Sequence, residues 1–275
     1  MRRGRVVSVL VAAALVAVSP AAAGPRRVVS MNPCVDAVLV EVADPAQILA
    51  ISHYSQDPRA TSIPLATARR FAATSGTAEE IVALRPDLVL AGAHVSPSTL
   101  AALRRLGVPV ETFGVPATMA ESAAQVRRIA VAVGKPARGA ALVGRIEAAA
   151  ARARSAAKGK GAPVPALIWQ GGGLVPGTGT LGDEMLRAAG FRNMSADYGL
   201  QQWDVLPLEH LAARPPRMLL TDPQAAGADR MNGHRVLRQY EGRIARADFS
   251  ERLLSCAGPV IIRALDRLVQ VRATL

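Results

Sequence analysis

The chain has 275 residues, of which 50% are hydrophobic and only 3% aromatic, and its formal net charge is +12. A basic chain can bind nucleic acid or a membrane surface. Here the basic residues are mostly arginines scattered over predicted helix faces, and no nucleic-acid recognition motif accompanies them. We therefore expect no nucleic-acid partner.

The first residues are typical of a secretory signal peptide. Residues 1–5 are basic, residues 6–18 form a short apolar run, and small residues follow up to Ala23. A membrane-spanning helix needs about 20 apolar residues, so this run is too short for one. We predict a signal peptide over residues 1–23 that is cleaved after Ala23, with no lipid anchor because no cysteine lies at the junction. The mature chain, with a charge of +9 after loss of Arg2, Arg3 and Arg5, is expected in a bacterial periplasm.

The two cysteines of the chain are Cys34 and Cys256. In an oxidising compartment two cysteines commonly form a disulfide. The alternative is a pair of separate buried thiols that pack as small hydrophobic side chains. Both interpretations stay open, because only the spatial distance between the two residues decides between them.

Strands and helices alternate along most of the mature chain, which predicts an α/β fold with mainly parallel sheets. The predicted strands cover residues 27–31, 48–52, 88–91, 108–113, 166–169 and 218–221. The predicted helices cover residues 34–42, 78–84, 97–106, 118–133, 136–157, 181–189, 236–244 and 260–271, with a further short helix at Glu209. The helix over 136–157 would be about 33 Å long, which is enough to run along a small domain.

A helix–proline–strand unit occurs twice, 130 positions apart. Residues 77–90 contain Glu79 and Pro86, and residues 209–220 contain Glu209 and Pro216 at matching positions. In each copy proline ends a short amphipathic helix, and a buried strand follows. The repeat predicts two similar lobes, residues 24–135 and 161–275, joined by one long helix over 136–160.

Four segments in this order resemble the periplasmic substrate-binding proteins of cobalamin and ferric-siderophore ABC importers, the class with a helical backbone between two lobes. The segments are residues 27–33, 79–90, 179–193 and 209–220. The resemblance covers nearly all of the mature chain. It implies two Rossmann-like lobes joined by a stiff α-helix, and a monomer that delivers its ligand to an inner-membrane ABC permease dimer.

In the family, one glutamate on each lobe docks onto arginines of the permease, and the matching residues are Glu79 and Glu209. A carboxylate can accept two hydrogen bonds from one arginine, which suits such an interface. The alternative is that each acid only stabilises the start of its helix through the helix dipole, by about 0.3–1 kcal/mol.

The ligand of a two-lobed α/β protein is expected in the cleft, where loops leave the carboxyl ends of the strands. Residues of such loops are the candidate ligand contacts: His53, Tyr54, His94, Trp169, Gln170 and Trp203. Flat aromatic faces suit a macrocycle or a catecholate ring. For Trp169 the alternative is a place in the core at the end of a buried strand.

The four histidines, His53, His94, His210 and His234, raise the alternative of a bare zinc or manganese ion. His53 and His94 could converge from the first lobe, but the second lobe offers no comparable histidine at a cleft loop. We therefore predict no resident metal site and no cofactor, although a bound ligand could carry cobalt or iron. One histidine could still reach the metal of a bound chelate.

No catalytic motif stands out. Residues 177–182 fit G-x-G-x-x-G but lack the following strand and acid of a dinucleotide site, so we interpret them as a turn into a helix. Ser155 and Lys158 match S-x-x-K without its accompanying elements. The chain is therefore predicted to be a binding protein for a corrinoid or ferric siderophore and not an enzyme. A haem carrier, a bare-metal carrier and a secreted α/β hydrolase remain the alternatives.

Overall fold

The computed structural model describes residues 24–224 and 242–275. The first lobe is built on a five-stranded sheet in which all strand pairs are parallel, in the order β3-β2-β1-β4-β5. The strands are β1 Val28–Ser30, β2 Ile48–Ser52, β3 Ala72–Thr74, β4 Leu88–Gly92 and β5 Val110–Phe113. The accompanying helices are α1 Pro33–Val42, α2 Leu65–Ala68, α3 Ala78–Ala83, α4 Pro97–Arg105 and α5 Met119–Ala132.

Helix starts in this lobe follow ordinary capping chemistry. The Asn32 side chain accepts hydrogen bonds from the Cys34 and Val35 amides, and Pro33 occupies the first turn of α1. Thr77, Ser96 and Thr118 cap α3, α4 and α5 in the same way. Because each cap directly follows a strand or its loop, the helices return over the faces of the sheet.

Helix α6, Pro136–Ala157, is the long helix that joins the two lobes. Its buried residues include Leu142, Val143, Ile146 and Ala150, and they belong to one hydrophobic cluster with residues of both lobes. The helix packs against α1 and α5 on one side and against helices of the second lobe on the other. The two lobes therefore share one large apolar cluster around α6.

The second lobe contains a parallel four-stranded sheet and a separate antiparallel ribbon. The sheet has the order β11-β10-β6-β8, and the ribbon pairs β7 with β9. The strands are β6 Val164–Trp169, β7 Leu174–Pro176, β8 Phe191–Asn193, β9 Trp203–Val205, β10 Met218–Thr221 and β11 Ala245–Asp248; the helices are α7 Leu181–Ala188, α8 Leu208–Ala213 and α9 Val260–Ala273.

The predicted fold class is confirmed: two α/β lobes with mainly parallel sheets are joined by one long helix. The predicted helix over 236–244 lies mostly outside the described residues, and its last residues 242–244 form a turn before β11. The predicted signal peptide and His234 also lie outside the described residues. Within the described ranges, no helix is both long and apolar enough to cross a membrane.

Candidate ligand-binding cavity

A cavity of about 510 Å³ lies between the two lobes. Its volume is within the range of about 300–1,000 Å³ that is usual for small-molecule sites. Its wall includes residues from the ends of β4 and β5 and the start of α1 in the first lobe, and from the start of α7, the end of the ribbon and the segment before α9 in the second. The cavity is thus at the place that parallel α/β topology predicts.

The wall is uncharged over its described residues. Apart from His94, its polar side chains are neutral amides and hydroxyls: Asn32, Ser122, Gln125, Thr180, Gln202 and Ser255. Apolar and aromatic groups such as Val38, Phe113, Met185 and Trp203 form much of the remainder. Such a wall is suited to a neutral ligand that makes apolar contacts and amide-type hydrogen bonds.

His94 and Trp203 are the predicted contact residues that line the cavity. His94 is exposed in the loop after β4, in the first lobe. Trp203, which is 41% exposed, begins β9 in the second lobe. The two lobes therefore contribute one imidazole and one indole to the same wall.

The position of Trp203 depends on an unusual backbone at Gln202, which has a φ of 57°. The Gly177 amide donates a hydrogen bond to the Gln202 carbonyl, and the Gln202 amide donates to the Thr178 carbonyl at 3.3 Å. A Cβ atom on Gly177 would overlap the Gln202 carbonyl oxygen. The first glycine of the G-x-G-x-x-G segment thus allows two chains to approach, which is a structural role and not phosphate binding.

The other glycines of that segment form the predicted turn into a helix. Gly179 has a φ of 77°, and Thr180 caps α7 by accepting a hydrogen bond from the Asp183 amide. Gly182 packs on Pro176 and lines the cavity. Thr180 is a wall residue that was not among the predicted contacts.

His53 and Tyr54 do not line the cavity. They form a 3-10 turn over His53–Gln56 at the end of β2, with their ring centroids 4.1 Å apart. The His53 Nδ1 atom is 3.1 Å from the Thr74 carbonyl oxygen of β3. The strands β2 and β3 lie on one side of β1, whereas the cavity lies at β4 and β5 on the other side. Ligand contact by His53 and Tyr54 therefore stays a prediction that this cavity does not support.

Trp169 and Gln170 are also outside the described cavity wall. Trp169 is 5% exposed and packs in a hydrophobic cluster with Leu206, Leu211 and Leu219. Its indole nitrogen is buried and has no hydrogen-bond partner within the described residues. The core alternative for Trp169 is therefore correct. Gln170 begins a short 3-10 turn, and its amide donates to the Leu174 carbonyl at 2.8 Å.

Cys34 and Cys256 form a disulfide on the cavity wall, with their Cα atoms 5.0 Å apart. Cys34 belongs to α1 of the first lobe, and Cys256 precedes α9 in the second. The structure therefore decides in favour of the disulfide over two separate thiols. The bond joins the two lobes, and its place on the cavity wall is what the sequence alone did not indicate.

Glu79 and Glu209 are both exposed, one on α3 and the other on α8. Each is the second residue of a six-residue helix, and each helix is followed by proline and a buried strand. The neighbouring Glu80 differs, since its carboxylate accepts hydrogen bonds from the Ser75 amide and hydroxyl. These bonds lower the pKa of Glu80.

Asp36 is a fully buried acid on α1. Its carboxylate accepts hydrogen bonds from the Ser52 amide at 2.9 Å and the Ser55 hydroxyl at 2.6 Å. Burial raises the pKa of Asp36 to about 7, against the lowering effect of these hydrogen bonds. The acid thus ties α1 to the end of β2 and titrates near neutral pH.

No group of three or more His, Cys, Asp or Glu side chains suitable for holding a metal ion occurs within residues 24–224 and 242–275. His210 is exposed on α8. His94 is the histidine that the structure places on the described cavity wall. A single imidazole is a suitable axial ligand for the metal of a chelate, whereas a structural zinc site needs about four ligands.

The chain belongs to the periplasmic binding protein family, whose model matches residues 28–241. Proteins of this family work outside the cytoplasm, bind small solutes and deliver them to ABC permeases. A cobalamin-binding protein of Halobacterium salinarum strain R1 is 25% identical over 214 residues, which is 76% of this chain. That match covers 56% of the relative, so the chain spans about half the length of the curated relatives it matches.

Solved structures agree with this fold. The periplasmic haem-binding protein RhuT from Roseiflexus sp. RS-1, in apo form, is similar with a TM-score of 0.71 and 25% identity, over 91% of this chain and 97% of that one. The periplasmic vitamin B12 binding protein BtuF of Vibrio cholerae has a TM-score of 0.70 and 18% identity, over 91% and 97% of the two chains.

Proposed function

We propose that this protein captures a corrinoid in the cavity between its lobes and delivers it to an inner-membrane ABC permease. The observation that carries the proposal is the uncharged wall, with neutral amides and hydroxyls beside Trp203 and apolar groups. A corrinoid is a large cobalt macrocycle fringed with carboxamides, which pair with Asn, Gln, Ser and Thr side chains. The 25% identity to a cobalamin-binding protein supports the same ligand class.

Haem is the second candidate ligand, because His94 could coordinate iron and the haem-binding RhuT is similar in fold and sequence. Haem carries two carboxylates, which proteins usually pair with arginine, lysine or several amide donors. The described wall has no arginine or lysine. This feature favours the corrinoid over haem. A ferric siderophore, which is often anionic, is disfavoured for the same reason.

Transport also requires export and docking. We propose that residues 1–23 are a cleaved signal peptide, that the mature protein is a monomer with lobes at 24–135 and 161–275, and that Glu79 and Glu209 contact the two permease subunits. Both carboxylates are exposed on separate lobes, which supports a contact with a two-fold partner. The protein is proposed to act by binding alone and not as an enzyme.

The direct test is an absorbance and calorimetric titration of the purified mature chain with cyanocobalamin, dicyanocobinamide, haemin and a ferric catecholate. We expect the two corrinoids to bind at least tenfold more tightly than haemin. His94→Ala serves as a diagnostic variant, since it removes a haem ligand. Tight haemin binding with a Soret band that His94→Ala shifts would overturn the corrinoid in favour of haem.

A further inference from the structure

The Cys34–Cys256 disulfide is a second covalent connection between the two lobes, in addition to helix α6. It links residues separated by 222 positions, and both cysteines line the cavity. Without this bond, α6 alone would connect the lobes covalently within the described residues, and the cleft could open by bending or rotation at that helix.

Noncovalent contacts surround the disulfide and fasten the same segment to the first lobe. The Gly258 amide donates to the Ser122 hydroxyl of α5 at 2.9 Å, in a buried position. A Cβ atom on Gly258 would lie 2.8 Å from the Val38 side chain of α1, so this segment packs closely against that helix. The cavity wall therefore has one side on which the lobes are in direct contact.

Further contacts extend this side. The Ser62 hydroxyl donates to the Arg252 carbonyl at 3.4 Å, and the Arg252 guanidinium donates to the Pro58 carbonyl at 3.3 Å. The Met119 amide donates to the Glu184 carboxylate at 2.6 Å. Hydrogen bonds of this kind can break and re-form as the lobes move, whereas a disulfide holds until it is reduced.

We propose that the Cys34–Cys256 disulfide acts as a positioning element of the binding site, because it fixes the separation of the lobes and keeps the cavity preformed. A preformed cavity orders fewer groups when ligand binds, and this increases affinity. Reduction then converts a rigid cleft into one that opens around α6. The claim about lobe separation stands without a ligand, whereas the claim about affinity rests on the proposed function.

Distances between the two lobes test whether the disulfide fixes their separation. Nitroxide labels at Leu106 and His210, exposed positions on separate lobes, are introduced through a non-canonical azido residue so that the disulfide stays intact. Pulsed dipolar spectroscopy then compares the wild-type background with Cys34→Ser/Cys256→Ser, each without ligand. We expect at least a twofold broader distance distribution in the double variant. An equally narrow distribution would overturn the proposal.

Binding of cyanocobalamin, the probe ligand, tests whether the disulfide increases affinity. We expect the double variant to bind at least fivefold more weakly and cyanocobalamin to narrow its distance distribution again. Unchanged affinity in a variant of lowered thermal stability would show a purely structural bond and overturn this claim. If the variant does not fold, the wild type reduced under native conditions provides the same comparison. Failure of the wild type to bind any corrinoid would contradict the proposed function and leave the distance result standing.

Discussion

Glu79 and Glu209 occupy equivalent places in the two lobes: each is the second residue of a six-residue helix that leads through a proline into a buried strand. Both side chains are exposed, and neither of them lines the ligand cavity. Because an acid at a helix start is stabilised by the helix dipole in any protein, the pair alone does not establish docking. Reversal of both charges separates the two interpretations.

We expect Glu79→Lys/Glu209→Lys to abolish ligand uptake by cells while the affinity of the purified protein for ligand stays within about twofold. The reason is that two lysines would face the arginines expected on the permease. Glu147→Lys/Asp266→Lys is the matched control, since it makes the same charge change at exposed positions of α6 and α9. Normal uptake with the first variant would contradict docking through these acids.

The two tryptophans are expected to respond differently to substitution. Trp203→Ala should weaken ligand binding by roughly 1–3 kcal/mol, because it removes an aromatic face from the cavity wall. Its effect on stability should be small, since the side chain is 41% exposed. Trp169→Ala should cost roughly 3–5 kcal/mol of unfolding free energy, because it opens a cavity in the core.

Titration calorimetry and urea unfolding of both tryptophan variants measure these effects. The fluorescence of Trp169→Phe, which leaves Trp203 as the sole tryptophan, should be quenched when a coloured chelate binds. If Trp203→Ala lost stability and kept its affinity, the assignment of this residue to the binding site would be wrong.

Asp36 makes stability depend on pH. The folded-state pKa of about 7 exceeds the ordinary value of 3.8, so the folded protein retains a proton that the unfolded chain releases. The neutral carboxyl therefore adds to the unfolding free energy, on the order of 4 kcal/mol in total. This stabilisation is fully present below about pH 4 and is lost as the pH rises through about 7.

We therefore expect Asp36→Asn to flatten the decrease in unfolding free energy between about pH 4 and pH 7, as measured by urea unfolding. Asp266→Asn is the control, because that carboxylate is exposed on α9. Parallel pH profiles for wild type and Asp36→Asn would contradict a raised pKa at this position.

Gly177→Ala should disturb the end of the β7–β9 ribbon, because the added methyl group would overlap the Gln202 carbonyl oxygen. We expect a loss of roughly 1–3 kcal/mol in unfolding free energy and weaker ligand binding, since Trp203 follows Gln202 directly. Gly144→Ala is the control, because Gly144 lies in α6 with open space where a Cβ atom would be added. Alanine there should stabilise the helix by about 0.5–1 kcal/mol. Equal stability of the two variants would contradict the close approach at Gly177.

Most of the first lobe was predictable because its signals are local. Proline at residue 86 and the run Leu88–Gly92 define a helix end and a buried strand without any knowledge of neighbours. The short strands β3, β7, β8, β9 and β11 were missed. Three exposed residues such as Trp203–Val205 become a strand only through backbone pairing with a distant partner, and their own sequence carries no burial pattern.

The site was harder to predict than the fold. A loop that follows a parallel strand is known to lie at the carboxyl edge of the sheet, but the sequence does not tell which of the strands border the cavity. His53 and His94 both follow parallel strands, but the strand order places β2 and β4 on opposite sides of β1. The apolar run that ends at Trp169 was compatible with a place for this side chain in the core and with a place in the cleft. The wall residues Asn32 and Thr180 cap α1 and α7. A capping residue at the start of a predicted helix was the sequence feature that could have indicated their position at the cavity.

Helix α6 buries one stripe of side chains, including Leu142, Ile146 and Ala153, against elements of both halves of the chain. Neither half could be excised without exposing that stripe to water. The halves are therefore expected to melt together, and scanning calorimetry should record one heat-absorption peak whose calorimetric and van 't Hoff enthalpies agree. The two lobes, each with its own helix–proline–strand unit, are thus similar in form but are expected to unfold as one cooperative unit.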